Sequence, residues 1–251
     1  MSGHSKWASI KHKKAVVDSR RGAQFSKLAR AIMVAARDGG GDPSGNAALE
    51  NAVRKAKEAS MPKDNIERAI AKGSGSGADA DAFEAIVYEG YGPEGVAVIV
   101  EALTDNRNRT ASEVRHIFAK FGGNLGTTGA VAWQFERRGV VLVTAEGVDE
   151  DELFMAAAEG GAEDIDADGD VIQVTSAPED LQALRGAIEA AGFPIESVEL
   201  SMLPKNTVAV DDEGKAKQLM RLIEALEDDD DVQEVYANFD IPERVLESVA
   251  G

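Results

Sequence analysis

The chain has 251 residues and a formal net charge of −18 at pH 7, with 43% hydrophobic and 29% charged residues, as in ordinary globular proteins. It contains no cysteine, which excludes a disulfide framework and a cysteine-ligated zinc site. No apolar run approaches the roughly 18 residues that a membrane helix needs. The basic N-terminal residues are not followed by the apolar segment of a secretory signal. We therefore expect a cytoplasmic protein.

The charge is unevenly distributed along the chain. Residues 1–77, the basic region, contain 15 Lys and Arg against 7 Asp and Glu, a net charge of +8. Residues 78–251, the acidic body, contain 12 against 38, a net charge of −26. Such asymmetry indicates an interaction surface on the region of minority sign. The alternative is that the basic region simply packs against the acidic body.

In chain order, the predicted elements begin with a basic arm at residues 1–17 and three amphipathic helices. Apolar residues at helical spacing predict helices over Ser19–Arg37, through Leu49–Ala56, and from Met61–Pro62 to an end at Gly73. Each helix has one apolar stripe, so we expect the three to pack together. The run Gly73–Gly77 has the composition of a flexible linker.

From Phe83 the pattern changes to alternating strands and helices. Residues 137–203 follow the order of the ferredoxin-like βαββαβ motif, and a strand at Ala130–Phe135 is predicted just before it. The elements on either side are expected to complete a single sheet around this insertion. The predicted fold class is α+β, with an N-terminal three-helix domain and two ferredoxin-like α+β domains, the second inserted into the first. The predicted domains are residues 1–77, 78–136 plus 204–251, and 137–203.

The basic region supplies candidate nucleic-acid contacts. Lys and Arg neutralise phosphates and release counterions, while Trp and His rings can stack on unpaired bases. The alternative is a solvated cationic tail with a hydrophobic anchor. A helix-turn-helix formed by the second and third helices is less favoured than ordinary three-helix packing. The candidates are Lys6, Trp7, Lys11, His12, Lys13, Lys14, Arg20, Arg21, Lys27, Lys63, Arg68 and Lys72.

Two further candidates lie in Asp105–Thr110, where a predicted strand gives way to a helix. A helix N-terminus favours anions, and Arg107 and Arg109 add forked donors that fit phosphate. In the alternative interpretation Asn106 caps the helix and the two arginines pair with acidic side chains of the body.

Other motifs favour structural interpretations. Gly90–Gly95 matches G-x-G-x-x-G, but a strand pattern follows, which indicates a hairpin turn rather than a dinucleotide site. Asp164–Gly169 resembles the start of a calcium loop, but Thr175 stands where a Glu is required, which favours a polar turn. The acidic run Glu227–Asp231 is predicted to be a solvated helix end. No catalytic constellation is present, so we expect no enzyme activity, cofactor or metal.

Several strings resemble the YebC/PmpR family along the whole chain. They are Gly3–Trp7, Ile10–Lys14, Met61–Ile66, Ala69–Gly73, Tyr88–Pro93, Leu103–Thr110, Gly122–Gly126, Leu226–Asp228 and Asp231–Asn238. One departure is Gly129–Val131, which reads Gly-Ala-Val where the family often has Gly-Ser-Val. The resemblance implies three domains, one inserted in another. It also implies either a cytoplasmic DNA-binding regulator of transcription or a translation factor.

These observations lead to three functional hypotheses. The first is a DNA-binding regulator of transcription. The second is a ribosome-associated translation factor whose partner is rRNA or tRNA in a ribosome context. The third is an acidic protein-interaction module without nucleic-acid binding. No membrane partner and no small-molecule substrate are expected, and the oligomeric state is left open, with a monomer compatible with the sequence.

Overall fold

The computed structural model describes residues 18–75, 83–242 and 244–246. Its first part, the helical segment of residues 18–75, contains three helices, α1 (Asp18–Gly39), α2 (Ala47–Glu58) and α3 (Lys63–Ser74). They pack around a shared apolar core that includes the fully buried side chains of Ile32 and Leu49. The three predicted helices are confirmed, because each one has a single stripe to bury.

Gly73 has a different role from the one expected. The helix α3 continues through it to Ser74, so Gly73 and Ser74 belong to the helix and not to a linker. A Cβ atom at Gly73 would collide with the Met33 carbonyl oxygen and lie 2.9 Å from the Ala36 Cβ. Only glycine lets α1 and α3 approach this closely, so Gly73 is required for packing, and the predicted end of α3 at this residue was wrong.

The first sheet of the acidic body is antiparallel, with strands β1 (Glu84–Tyr91), β2 (Ala97–Thr104), β3 (Asn124–Leu125) and β9 (Val232–Ala237). Their order in the sheet is β3-β1-β2-β9. Two helices, α4 (Arg107–Lys120) and α7 (Glu213–Glu227), share its main core, with Phe118 and Leu222 fully buried. The turn between β1 and β2 lies at Gly90–Gly95, which confirms the predicted hairpin.

The second sheet lies between β3 and β9 in the chain, so it is inserted into the first. Its strands β4 (Phe135–Thr144), β5 (Ala162–Asp168), β6 (Val171–Ser176) and β7 (Ile195–Pro204) have the order β5-β6-β4-β7, all antiparallel. Helices α5 (Glu150–Glu159) and α6 (Leu181–Ala190) complete the predicted βαββαβ order. The expectation that the elements around the insertion complete a single sheet was wrong for β8 (Val208–Ala209), which pairs in parallel with β10 (Phe239–Asp240) in a separate two-stranded sheet. The predicted α+β class with an inserted ferredoxin-like unit is confirmed.

The predicted strand at Ala130–Phe135 was wrong except for its last residue. Ala132–Gln134 form a short 3-10 turn, and β4 begins only at Phe135. The buried Glu89 carboxylate accepts hydrogen bonds from the N–H groups of Gly129, Val131 and Ala132 at 2.6–2.8 Å. Backbone donors held by a carboxylate cannot also form a strand ladder, so tertiary contact overrode the local apolar pattern.

The polar turn predicted at Asp164–Gly169 is shorter than expected, because Asp164–Asp168 belong to β5 and only Gly169 and Asp170 form the turn into β6. Gly169 has a φ of +63°, a backbone conformation that glycine adopts without steric penalty. Among the helices that the structure describes, none is both long and apolar enough to span a bilayer.

Candidate nucleic-acid interface

The basic arm of residues 1–17 lies outside the described residues, and at the start of α1 the structure describes only the backbone. The predicted contacts in the arm are outside the described residues. Arg20 and Arg21 lie in α1. The structure describes their backbone but not their side chains. The arm contacts are Lys6, Trp7, Lys11, His12, Lys13 and Lys14; they remain predictions.

Some cations of the helical segment face the acidic body. Arg30 Nη1 donates to the Asp230 carbonyl at 2.5 Å and to Asp231 Oδ1 at 2.9 Å. Lys27 donates to the Glu227 carbonyl. Burial lowers the pKa of Lys27, although nearby carboxylates such as Asp229 oppose that effect. The predicted contact Lys27 is therefore already engaged within the protein.

A second pair of cations, on α2, extends the same contact. Lys55 Nζ lies 2.9 Å from the Glu234 carboxylate on β9, and this carboxylate raises the pKa of Lys55. Arg54 Nη1 donates to the Val198 carbonyl on β7 at 3.0 Å. The helical segment is thus held against both sheets by charged hydrogen bonds, as the alternative for the basic region proposed.

A separate set of cations stays at the surface. Lys57, Lys63, Arg68 and Lys72 are all exposed. The Lys63 side chain is 86% exposed, and its Nζ lies 3.5 Å from the carboxylate of Glu67, one turn along the same helix. Arg68 donates to the Asp64 carbonyl and to Asn65 Oδ1, both on its own helix. We call Lys57, Lys63, Arg68 and Lys72 the outer cations.

The start of α4 separates the two predicted arginines. Asn106 Oδ1 accepts from the Arg109 N–H at 3.1 Å, so Asn106 caps the helix as the alternative interpretation expected. Arg107 is 67% exposed and lies 3.8 Å from the Glu84 carboxylate. Arg109 Nη2 instead donates to Asp231 Oδ2 at 2.6 Å and to Asp105 at 3.0 Å. Arg107 alone of this pair is presented mainly to solvent.

Asp231 organises this region, and the prediction that it forms part of a solvated helix end was wrong. Its side chain is 4% exposed. Its oxygens accept from Arg30 at 2.9 Å, Arg109 at 2.6 Å, the Thr110 hydroxyl at 2.7 Å and the Thr104 hydroxyl at 3.1 Å. Burial would raise the pKa of Asp231, but the hydrogen bonds from Arg109, Thr110 and Thr104 outweigh it and lower that pKa. The one local signal in the sequence that Asp231 is buried was its position directly before Val232, the apolar first residue of β9.

The carboxylates around Asp231 include three whose oxygens lie within 4.8 Å of one another, those of Glu113, Asp229 and Asp231. Burial and the neighbouring Asp229 raise the pKa of Glu113. Both oxygens of Asp231 are already occupied by guanidinium and hydroxyl donors. The cluster is therefore the counter-charge of Arg30 and Arg109, and it supports no metal proposal.

Comparison with known proteins agrees with this architecture. The profile described as the TACO1/YebC protein N-terminal domain matches residues 5–76, and the profile of the TACO1/YebC second and third domain matches residues 83–239. A protein of Rubrobacter xylanophilus is 60% identical over 251 residues, covering all of both chains, and one of Natranaerobius thermophilus is 54% identical, covering 99% of this chain and 100% of the relative. Both carry the name "Probable transcriptional regulatory protein".

A solved structure also resembles this chain. A conserved hypothetical protein of Aquifex aeolicus is 50% identical, superposes with a TM-score of 0.84, and covers 95% of this chain and 98% of its own. Matching profiles, full-length relatives and a shared structure all indicate the same ancestry. The chain belongs to the TACO1/YebC family.

Proposed function

We propose that this protein is a DNA-binding regulator of transcription whose basic region contacts the phosphate backbone. The observation that carries the proposal is that the helical segment has two sets of cationic side chains, one that contacts the acidic body and one that is exposed. Arg30, Lys27, Arg54 and Lys55 hold the segment on the body, while the outer cations remain exposed. Packing against the acidic body therefore does not consume the positive charge of the helical segment.

The physical basis is counterion release at the phosphates. Each phosphate that a Lys or Arg neutralises releases condensed cations, which gives log K a slope of about −0.9 per contact against log salt concentration. The net charge of −26 on residues 78–251 repels a duplex from the rest of the molecule. Binding is thus restricted to the basic surface. The names of the relatives, which describe transcriptional regulators, agree with this role.

The test is fluorescence anisotropy with labelled duplex DNA over a range of salt concentrations. We expect the double variant Lys63→Glu and Arg68→Glu to weaken binding at least tenfold, because each reversal removes an attraction and adds a repulsion, and to flatten the salt slope by about two contacts. The matched control is Lys205→Glu with Lys217→Glu, which makes the same charge change at two exposed positions of the body. Equal losses in both double variants would show a general effect of net charge and would contradict the proposed surface.

Substitution of the arm tests its contribution separately. Lys13→Glu with Lys14→Glu is expected to weaken binding to all duplex sequences equally, because phosphate contacts carry no sequence information. A loss confined to one sequence would show that the arm contacts base edges. If charge reversal at Lys11, Lys13 and Lys14 left cellular function intact, the third hypothesis, an acidic protein-interaction module, would be favoured.

One observation favours a second candidate, a ribosome-associated translation factor. Trp133 is 65% exposed, and its indole Nε1 donates to the Ala130 carbonyl at 3.1 Å, which holds the ring in place. An exposed ring is suited to stacking on an unpaired base, which structured RNA offers and duplex DNA does not. Sedimentation through a sucrose gradient should then place the protein with ribosomes and Trp133→Ala in lighter fractions. Absence of the wild-type protein from every ribosomal fraction at low salt would reject this candidate.

A further inference from the structure

A groove of about 390 Å³ lies on the inserted sheet, far along the chain from the basic region. It runs between α5 and the strand β5, and its apolar lining includes Leu153, Phe154 and Ile165. Leu153 is buried in the core of this sheet, and Ile165 packs against that core. The groove is therefore an opening at the edge of a well-packed sheet and not a defect in its interior.

The mouth of the groove exposes more apolar surface than α5 requires for packing. Leu153 and Ala157 already form the buried stripe of α5, yet Phe154, which lines the groove, and its neighbour in the chain Met155 are 61% and 67% exposed. Among the described residues, the other exposed large hydrophobic side chains are Val87 at 50% and Trp133 at 65%, and neither is adjacent to another. Adjacent exposed apolar side chains are typical of binding surfaces, and methionine adapts readily to different partners.

Beside these side chains lies an unpaired strand edge. In the strand order β5-β6-β4-β7, β5 is an outer strand, and in the described part of the chain only β6 pairs with it. The free edge of such a strand presents backbone N–H and C=O groups that can pair with an added strand.

The charge around the groove selects the kind of strand. Residues 146–170 contain 11 Asp and Glu and no Lys, Arg or His. Glu150, Asp151, Glu163 and Asp164 line the groove itself. Glu163 is paired with Arg138. A nucleic acid is repelled here, and so is a second copy of the same acidic surface, whereas a cationic polypeptide is attracted.

We propose that this groove binds an extended, Lys- and Arg-rich segment of a partner protein. The backbone of the segment adds to the free edge of β5. Its apolar side chains contact Phe154 and Met155 on the side of α5, and its cationic side chains, on the opposite face of the added strand, lie near the carboxylates of β5. This role does not depend on the proposed function, because the groove and the outer cations are different surfaces. It would give the acidic insertion a protein partner while the basic region contacts a polyanion.

The test uses a fluorescently labelled synthetic peptide of about ten residues, the length of a long strand, with alternating Lys and Leu. Alternation places the two side-chain types on opposite faces of the added strand. We expect micromolar binding to the full chain that weakens with salt. Binding should weaken about tenfold for Phe154→Ser with Met155→Ser. The control is Val87→Ser, which removes an exposed apolar side chain from the other sheet.

Two further measurements separate strand addition from general attraction. A version of the peptide N-methylated at alternate residues cannot pair with a strand edge and should bind at least tenfold more weakly. Amide hydrogen exchange over residues 162–168 of the wild-type protein should slow when the peptide binds. A Glu-Leu peptide should not bind. Equal affinity for the Ser double variant and the wild type, or unchanged exchange in β5, would overturn the proposal.

The DNA affinity of the Phe154→Ser and Met155→Ser variant should equal that of the wild type, so failure of this proposal is distinguishable from failure of the DNA-binding role. Analytical ultracentrifugation tests the other possible occupant of the groove, a second copy of this chain. A wild-type dimer that the same double variant converts to a monomer would assign the groove to a second copy and would contradict a cationic partner.

Discussion

Asp231 shows how one carboxylate can join two parts of the chain. Through its two oxygens it contacts Arg30 of α1 and Arg109 of α4. A carboxylate buried to this extent is tolerated only when its acceptor sites are filled. The hydroxyls of Thr104 and Thr110, both fully buried, supply the remaining donors. Glu89 follows the same rule with three backbone N–H groups.

We expect Asp231→Asn to lower the free energy of unfolding by about 2 kcal/mol. The amide removes the charge that faces two guanidinium groups and places an NH2 donor at one of two positions where the carboxylate oxygens accept hydrogen bonds. The value is moderate because the partner Arg109 is 44% exposed and is screened by water. Urea denaturation measures the effect, with the exposed Asp228→Asn as control, which should change stability by less than about 0.5 kcal/mol.

The same substitution has a defined pH dependence. The pKa of Asp231 in the folded protein is lowered, whereas an unfolded Asp has a pKa of about 3.9. Its contribution to stability is therefore complete above that unfolded pKa and is lost as the pH falls through the folded pKa. The difference between wild type and Asp231→Asn should be constant near neutral pH and shrink in acid. A difference that grew in acid would contradict the assignment.

At the scale of helices, the contact between α1 and α3 depends on the absence of a side chain. Gly73 lies where an added methyl group would meet both the Met33 backbone and the Ala36 side chain. Gly186, inside α6, is the opposite case, since a Cβ there would meet no atom within 4 Å beyond the backbone of its own helix. Two helical glycines of the same chain therefore have different physical reasons to be present.

We predict that Gly73→Ala destabilises the protein by about 2 kcal/mol, because the backbones of α1 and α3 must separate. Gly186→Ala should instead stabilise it by about 0.5–1 kcal/mol, because alanine loses less backbone entropy in a helix. Thermal unfolding followed by circular dichroism measures both changes. Similar shifts in the same direction would show that helix propensity, and not the close contact, determines the role of Gly73.

For the whole molecule, charged side chains hold the helical segment against the acidic body. The surfaces of the helical segment and of the insertion nevertheless keep opposite charges. The contact between the helical segment and the body uses Arg30, Arg54 and Lys55. Arg30 also lies over the Phe83 ring, 5.4 Å from its centre, at the first described residue of the body. The result is a positive surface on the helical segment and a negative surface on the insertion.

The double variant Arg30→Gln and Lys55→Gln should loosen the helical segment without unfolding the sheets. Each ion pair is partly exposed and contributes about 1 kcal/mol at most. Their joint loss should speed amide exchange in α1–α3 by about tenfold while exchange in β4–β7 stays unchanged. Lys63→Gln with Arg68→Gln, which alters only outer cations, is the matched control. Equal acceleration in both variants would show that the inner cations do not join the segment to the body.

Local patterns in the sequence were sufficient for the three helices, the β1–β2 hairpin and the βαββαβ insertion. Helical spacing, strand alternation and turn residues are properties of neighbouring positions, so they can be recognised without knowing the fold. The separation of positive and negative charge is likewise a property of the sequence alone. The strand predicted at Ala130–Phe135 failed because Glu89, some 40 positions away, decides the course of that backbone.

The tertiary structure decided which charged side chains are paired within the protein and which are exposed. Arg30 and Asp231 are 201 positions apart, and no local pattern distinguishes Lys27, which faces the body, from Lys63, which faces solvent. The same holds for Gly73, whose necessity comes from the backbone of another helix, and for Phe154, which has the residue type of a core position and yet lies exposed beside a strand edge. Composition and periodicity determined the helices, the strands and their charge. Contacts between distant residues determined which side chains are buried, paired or exposed to solvent, because burial and pairing depend on which residues the folded chain brings together.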